Sequence, residues 1–159
     1  MKEMSEESIS NVRRYSAYFS VLFLIQFFIT LIILTSDQNL QTDFGTVGKY
    51  FIHWYGLLVS GIVDAVAFGI LIFTGKKLFI GLGVIWGAFM AIFQVADILT
   101  ASSLNVGLTE SQFATYLFGL SKYPGALPYI PGLYDLLFAI YILIIIVGIL
   151  FYRMSRKAS

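Results

Sequence analysis

The chain contains no cysteine and only one histidine, His53, among its 159 residues. The absence of cysteine excludes disulfide bonds, thiolate catalysis, and zinc or iron–sulfur sites with cysteine ligands. A single histidine also excludes metal sites built from several histidines and haem held by two histidines of one chain. We therefore predict no metal site and no bound cofactor.

Charged residues are scarce as well, at 12%, whereas 58% of the residues are hydrophobic and the mean hydropathy is +0.85. A soluble domain of this length needs far more charge to cover its surface, so the composition predicts that lipid surrounds the protein. The net charge of +1 lacks the basic excess that nucleic-acid binding requires. We expect an integral membrane protein with no nucleic-acid partner.

Four segments reach the roughly 20 residues that a helix needs to cross a bilayer. They cover about residues 15–34, 50–73, 78–99 and 133–152. The first span is too long for a signal peptide, and the following LTSDQN offers no cleavage site, so we expect it to be retained. The sequence thus predicts an all-α bundle of four transmembrane helices, forming one membrane domain over residues 1–159.

Basic residues are unevenly distributed among the loops. Eight of the ten lysines and arginines precede span one, join spans two and three, or follow span four, and only Lys49 and Lys122 lie in the other two loops. The positive-inside rule then places both termini in the cytoplasm of a multi-pass cell-membrane protein.

The third loop, residues 100–132, lies outside the cell in this orientation. The segment from Thr109 to Gln112 fits a capping box, and Phe113, Leu117 and Leu120 follow on one face, which predicts a short amphipathic surface helix. KYPGALPYIPG cannot form a regular helix because it holds all three prolines, so we expect a turn-rich cap. This cap is either a lid over the bundle or a loop that binds a partner or ligand.

Small residues recur at every fourth position in spans two and three: Gly61, Ala65 and Gly69, then Gly83, Gly87 and Ala91. Helices in lipid associate by close packing at such stripes. The stripes and the short TGKK link predict a close antiparallel pair of spans two and three; alternatively, one stripe faces another subunit. Span one has no such stripe. Three phenylalanines line one of its faces and are expected to meet lipid, a neighbouring helix or a partner protein: Phe19, Phe23 and Phe27.

Polar residues in the spans fall at two depths when counted from the cytoplasmic side at about 1.5 Å per residue. Gln26 and Asp64 lie about 16 Å and about 14 Å in, near mid-membrane. Four others lie about 24 to 30 Å in, close to the outer interface: His53, Gln94, Asp97 and Asp135.

The outer group can be structural as well as functional. Asp135, near the start of span four, is favoured by the helix dipole, and Asp97 should point into the bundle, where it makes a structural hydrogen bond or serves a function. His53 belongs to an aromatic belt with Trp54 and Tyr55, or it contacts a headgroup or a quinone.

Asp64 is the least favourable residue to place in the membrane, because a charged carboxylate at mid-span raises the free energy of insertion by about 3 kcal/mol. It borders the stripe of span two, and no lysine or arginine lies at its depth. Burial without a cation favours the neutral form, which could donate to Gln26, Ser60 or a backbone carbonyl and hold helices together. The alternatives are proton or cation coupling, and pairing with a basic residue of another subunit.

Three functions fit this pattern. The first is a non-catalytic four-helix subunit of a larger respiratory or transport complex, with membrane-protein partners. The second is a small oligomeric transporter or channel coupled to protons or cations through Asp64 and Gln26, although neither an inverted repeat nor a broken helix is present. The third is a membrane enzyme or quinone-reactive protein whose site at the outer interface uses His53, Asp97 and Asp135 with tyrosines, although the sequence holds no recognisable catalytic motif.

Overall fold

A computed structural model describes residues 6–36, 51–103 and 133–157, which are helical apart from a two-residue link. The helices are α1 (Glu6–Ser36), α2 (Phe51–Thr74), α3 (Lys77–Ser103) and α4 (Leu133–Lys157). Each contains a stretch long and apolar enough to cross a membrane: Ser10–Thr35, Tyr55–Thr74, Lys77–Ala96 and Leu136–Ser155. The predicted all-α architecture with four membrane-length helices is confirmed.

The predicted surface helix after Thr109 and the proline-rich cap lie outside the described residues. The side of the membrane that each terminus faces stays a prediction, as does the organisation of residues 1–159 as one domain.

Helix α1 is central to the packing. It lies against α2 along much of its length and against α4 on another side, while α3 packs mainly on α4. Helices α2 and α3, although joined by the shortest link, touch each other little. The helices are therefore arranged in the order α2, α1, α4, α3, and the boundary between α2 and α3, called the α2–α3 seam below, is loosely packed.

The small residues of α2 do not face α3. A Cβ atom added to Gly61 would lie 3.2 Å from Cγ2 of Thr30, so this glycine lets α1 come close. Gly69 has no heavy atom within 4 Å of its Cβ position, and Ala65 is only half-buried. The predicted close pairing of spans two and three through these stripes is wrong, because the near neighbour of α2 is α1.

The small residues of α3 receive large side chains of α1 and α4. A Cβ atom on Gly83 would lie 2.7 Å from Cε1 of Phe19 and 2.9 Å from Cζ of Phe23, and one on Gly87 would lie 2.8 Å from Cγ2 of Ile144. Ala91 is buried in the same core. Of the three environments expected for Phe19 and Phe23, the structure shows a neighbouring helix, since both rings are fully buried.

The link between α2 and α3 requires glycine. Gly75 adopts a left-handed conformation, with φ of 58°, and its N–H donates to the Leu71 carbonyl at 3.3 Å. The same carbonyl accepts a 2.7 Å hydrogen bond from Ser16 Oγ of α1. A Cβ atom on Gly75 would lie only 2.8 Å from Cγ of Arg13. The turn is therefore fixed both by its own backbone and by contact with α1.

Aromatic contacts close the bundle at the end that holds this link. The rings of Tyr15 and Phe151 stack with centroids 5.2 Å apart, joining α1 to α4. Lys77 Nζ lies 4.7 Å from the centroid of the Tyr152 ring, joining α3 to α4 by a cation–π contact. These contacts hold α1, α3 and α4 together at this end. No ring contact joins α2 to α3 among the contacts described, so here the seam depends on the link itself.

Candidate functional site

Asp64 is fully buried in the middle of α2 and accepts hydrogen bonds from two other helices. Trp86 Nε1 of α3 donates to Asp64 Oδ1 at 2.9 Å. The Tyr141 hydroxyl of α4 donates to Asp64 Oδ2 at 3.4 Å, a long contact. Removing a carboxyl group from water is costly unless donors meet it, so these two side chains explain how the acid is accommodated in an apolar span.

Ser60 lies one turn before Asp64 and is also fully buried. Its hydroxyl donates to the Leu57 carbonyl of its own helix at 2.9 Å, so its proton is not offered to the acid. The sequence suggested Gln26, Ser60 or a backbone carbonyl as partners of Asp64. The hydrogen bonds found in the described helices come from Trp86 and Tyr141 instead.

Gln26 connects α1 to the same cluster. Its side chain is fully buried, and Nε2 donates to the Leu137 carbonyl of α4 at 3.0 Å, one turn before Tyr141. The side chains of Gln26 and Ser60 also lie close to the Tyr141 hydroxyl. The two mid-membrane residues predicted from depth, Gln26 and Asp64, therefore meet around Tyr141. We call Gln26, Ser60, Asp64, Trp86 and Tyr141 the polar core; it links all four helices.

The polar core has acceptor capacity left over. Gln26 Oε1 is buried and has no hydrogen-bond partner among the described residues, and the same holds for Thr30 Oγ1 one turn further along α1. A threonine hydroxyl in a helix commonly donates to a backbone carbonyl of the preceding turn, so Thr30 has less need of a partner from another helix than Gln26 has. The free amide oxygen of Gln26 can accept a hydrogen bond from a donor that reaches the core.

The polar core contains an acid but no basic side chain. Both groups that donate to Asp64 are neutral, so they orient the carboxyl group without balancing a negative charge. Every lysine and arginine of the sequence lies outside the interior of the four spans. The arrangement can therefore hold a proton on Asp64, or it can attract a cation supplied from elsewhere.

The outer group predicted from depth is only partly visible. Gln94 is half-buried on α3, and its Oε1 is buried without a partner among the described residues. The side chains of His53, Asp97 and Asp135 lie outside the described part of the structure. Whether these four residues converge, and whether a quinone meets them, stays a prediction.

Trp86 and Tyr141 were missed in the sequence, although two signals point to them. Counted at about 1.5 Å per residue from residue 78 of span three and residue 152 of span four, the ends of the predicted spans nearest the link, they lie about 12 Å and about 16 Å in, close to the levels of Asp64 and Gln26. Buried indole N–H and phenol O–H groups usually bond to a partner. A tryptophan and a tyrosine at the depth of an unpaired acid are therefore its expected donors.

Two apolar clefts lie along the α2–α3 seam, one on each side of Trp86. The Phe79 cleft, nearer the link, has a volume of about 190 Å³ and is bordered by Val66 and Ala67 of α2 and Phe79 of α3. The Phe93 cleft has a volume of about 370 Å³ and is bordered by Tyr55 and Gly56 of α2 and by Phe89 and Phe93 of α3. Trp86 lines both clefts and donates its indole N–H to Asp64, which lines neither.

In the described helices, no three histidine, cysteine or acidic residues come together as a group that could hold a metal ion. The site thus consists of a buried carboxyl group, its neutral donors and two apolar clefts. Compared with protein-family models, with curated proteins and with solved structures, the chain matches none.

Proposed function

We propose that the chain is a non-catalytic, four-helix integral membrane subunit of a larger membrane complex. The observation that supports this function most is the use of the polar core. Its hydrogen bonds run between helices: from α3 and α4 to Asp64, and from Gln26 to the α4 backbone. Polar groups that are engaged in holding helices together are not free to act on a substrate.

The outward-facing surface agrees with this proposal. Large apolar side chains alternate around α1 and face away from the other three helices, among them Tyr18, Val21, Ile25 and Phe28. Since Phe19 and Phe23 point inward, this opposite face of α1 is the one available to lipid or to a partner. Transmembrane helices associate by van der Waals packing, which such a surface supports.

Purification from the native membrane in mild detergent tests the proposal. We expect other membrane proteins to co-purify with the tagged chain in fixed stoichiometry. A photo-crosslinking amino acid at Phe28, which is 52% exposed, should capture a partner, whereas the same residue at buried Phe23 should crosslink only within the chain. Isolation of the chain alone, or only as a homo-oligomer, would contradict the proposal.

A second candidate function rests on a different observation, the absence of a cation beside Asp64 in the described helices. In this proposal the chain is a small oligomeric transporter coupled to protons or cations through Asp64, with Gln26 beside it. Proton or cation flux into proteoliposomes should then be lost in Asp64→Asn and retained in Ile85→Leu, a control on the exposed face of α3. Flux that survives Asp64→Asn unchanged would rule out this coupling.

A further inference from the structure

We propose that the Phe93 cleft binds a lipophilic organic cation, an aryl-substituted ammonium or phosphonium ion, that enters from the bilayer and is attracted by Asp64. This binding site goes beyond the proposed role as a subunit and does not depend on it. Three properties support the assignment: the aromatic walls of the cleft, the buried acid hydrogen-bonded to Trp86, and the opening of the cleft toward lipid.

The walls of the cleft are aromatic on both sides of the α2–α3 seam. Trp86 and Phe89 stack with ring centroids 5.6 Å apart, and Phe89 and Phe93 follow at 6.3 Å, which makes a continuous row of rings on α3. Tyr55 of α2 faces this row across the cleft. Ring faces attract cations, tryptophan most strongly, and aromatic cages are the usual sites for quaternary ammonium groups.

The acid that can select a cation is hydrogen-bonded to the edge of one of these rings. The indole of Trp86 borders the cleft and donates to Asp64 Oδ1 through its N–H. No basic side chain accompanies Asp64 in the described helices, so an ionised carboxylate lacks a counter-charge. In a medium of low dielectric constant, attraction between opposite charges remains strong across the width of a side chain. A cation in the cleft would supply that counter-charge while leaving the Trp86–Asp64 hydrogen bond in place.

The opening of the cleft determines which cations can reach it. Val59 and Phe89 at its edge are 53% and 55% exposed, on the surface that faces the bilayer when the helices span it. Gly56 borders the cleft opposite Phe93, since a Cβ atom added to it would lie 3.8 Å from Phe93 Cε1, so a larger side chain at this position would extend into the cleft. A volume of about 370 Å³ lies within the range of ligand sites. The site therefore suits cations that dissolve in lipid, rather than metal ions or hydrated polyamines.

Two probe ions of the same shape and opposite charge test the inference on the purified full-length chain. Tetraphenylphosphonium and tetraphenylborate are titrated while the fluorescence of Trp86 is followed in a Trp54→Phe background. We expect tetraphenylphosphonium to bind at least tenfold more tightly, a difference of about 1.4 kcal/mol. Equal or tighter binding of tetraphenylborate would overturn the assignment. An apolar surface without a nearby acid does not prefer a cation over an anion of the same shape.

Three variants locate the site. Asp64→Asn should weaken phosphonium binding at least tenfold, and Gly56→Leu, which fills the Phe93 cleft and leaves Asp64 in place, should do the same. Ala67→Leu fills the Phe79 cleft instead and should leave binding unchanged. If Asp64→Asn does not fold, Gly56→Leu carries the test. Full binding by a folded Asp64→Asn or by Gly56→Leu contradicts the inference. Partner co-purification is a separate measurement, so failure here is distinguishable from failure of the proposed function.

Discussion

Trp86 donates its indole N–H to Asp64 across the α2–α3 seam, at 2.9 Å, where the two helices otherwise touch little. The hydrogen bond therefore has two consequences. It satisfies one oxygen of a buried acid, and it sets how far α3 can move away from α2 at mid-span. Substitutions in the polar core and in the turn at the end of the seam measure how much each contact stabilises the bundle.

Replacing Trp86 by phenylalanine should keep most of the ring packing and remove the donor to Asp64 Oδ1. Hydrogen bonds between transmembrane helices contribute about 0.6 kcal/mol on average and up to about 1.7 kcal/mol. We expect Trp86→Phe to lower the free energy of unfolding by about 1 to 2 kcal/mol, because the acceptor left behind is buried. Reversible unfolding in mixed micelles measures the change.

Ile85→Leu is the matched control for Trp86→Phe. Ile85 is the preceding residue and is 66% exposed, so its replacement should change stability by less than about 0.5 kcal/mol. Equal stability of Trp86→Phe and Ile85→Leu would show that the indole N–H contributes nothing.

Asp64 can be tested for hydrogen bonding separately from charge. Asparagine keeps an oxygen acceptor for Trp86, whereas leucine of similar size leaves both Trp86 and Tyr141 without an acceptor. We expect Asp64→Leu to destabilise the bundle by about 2 to 4 kcal/mol and Asp64→Asn by no more than about 1 kcal/mol. The same unfolding assay compares them. If asparagine is as harmful as leucine, the negative charge rather than the acceptor is what the bundle requires.

Gln26 and Tyr141 should behave as coupled residues, since the Gln26 side chain lies near the Tyr141 hydroxyl and binds α4 one turn away. A double-mutant cycle with Gln26→Leu and Tyr141→Phe should give an interaction energy of at least about 0.5 kcal/mol.

Ser16→Ala serves as the control partner for Tyr141→Phe. Ser16 lies about 15 Å from Gln26 along α1, toward the N-terminus, and its hydroxyl donates to the Leu71 carbonyl of α2. Its effect should add to that of Tyr141→Phe within about 0.3 kcal/mol. Additivity in both pairs would mean that the polar core is not a connected network.

Gly75 and Gly69 provide a contrasting pair of glycine substitutions. Gly75→Ala should lose about 1 to 2 kcal/mol for the left-handed backbone alone, and more because the new methyl group meets Arg13. Gly69→Ala places its methyl group in open space within a helix and should be neutral or stabilise by about 0.5 to 1 kcal/mol. Thermal unfolding in detergent ranks the two. A tolerated Gly75→Ala would mean that the link relaxes without cost.

The sequence predicted the four helices well because an unbroken apolar run of about 20 residues matches the thickness of a bilayer and is rare in soluble domains. It also placed Asp64 and Gln26 at a common depth, and the structure brings them together around Tyr141. Depth follows from helical rise alone, so it can be read from one sequence without knowing which helices are neighbours.

Helix neighbours were harder to predict, for a physical reason. A glycine such as Gly83 indicates that something comes close, but it does not identify the approaching group. The structure shows the Phe19 ring from α1 there, not the small-residue stripe of α2. Complementarity between a large ring and a glycine is as good as that between two small residues, so spacing alone does not decide between them.

The order of the helices along the chain gives the polar core a consequence for biogenesis. Gln26 and Asp64 lie in α1 and α2, which are synthesised before α4, whereas the Leu137 carbonyl and the Tyr141 hydroxyl lie in α4. Until α4 has been synthesised and has entered the membrane, Gln26 and Asp64 lack these partners, and an unpaired polar group in the hydrocarbon region is unfavourable by several kcal/mol. A nascent chain truncated before α4 therefore leaves Gln26 and Asp64 without their α4 partners inside the bilayer, and we expect it to be less stable there than the four-helix bundle.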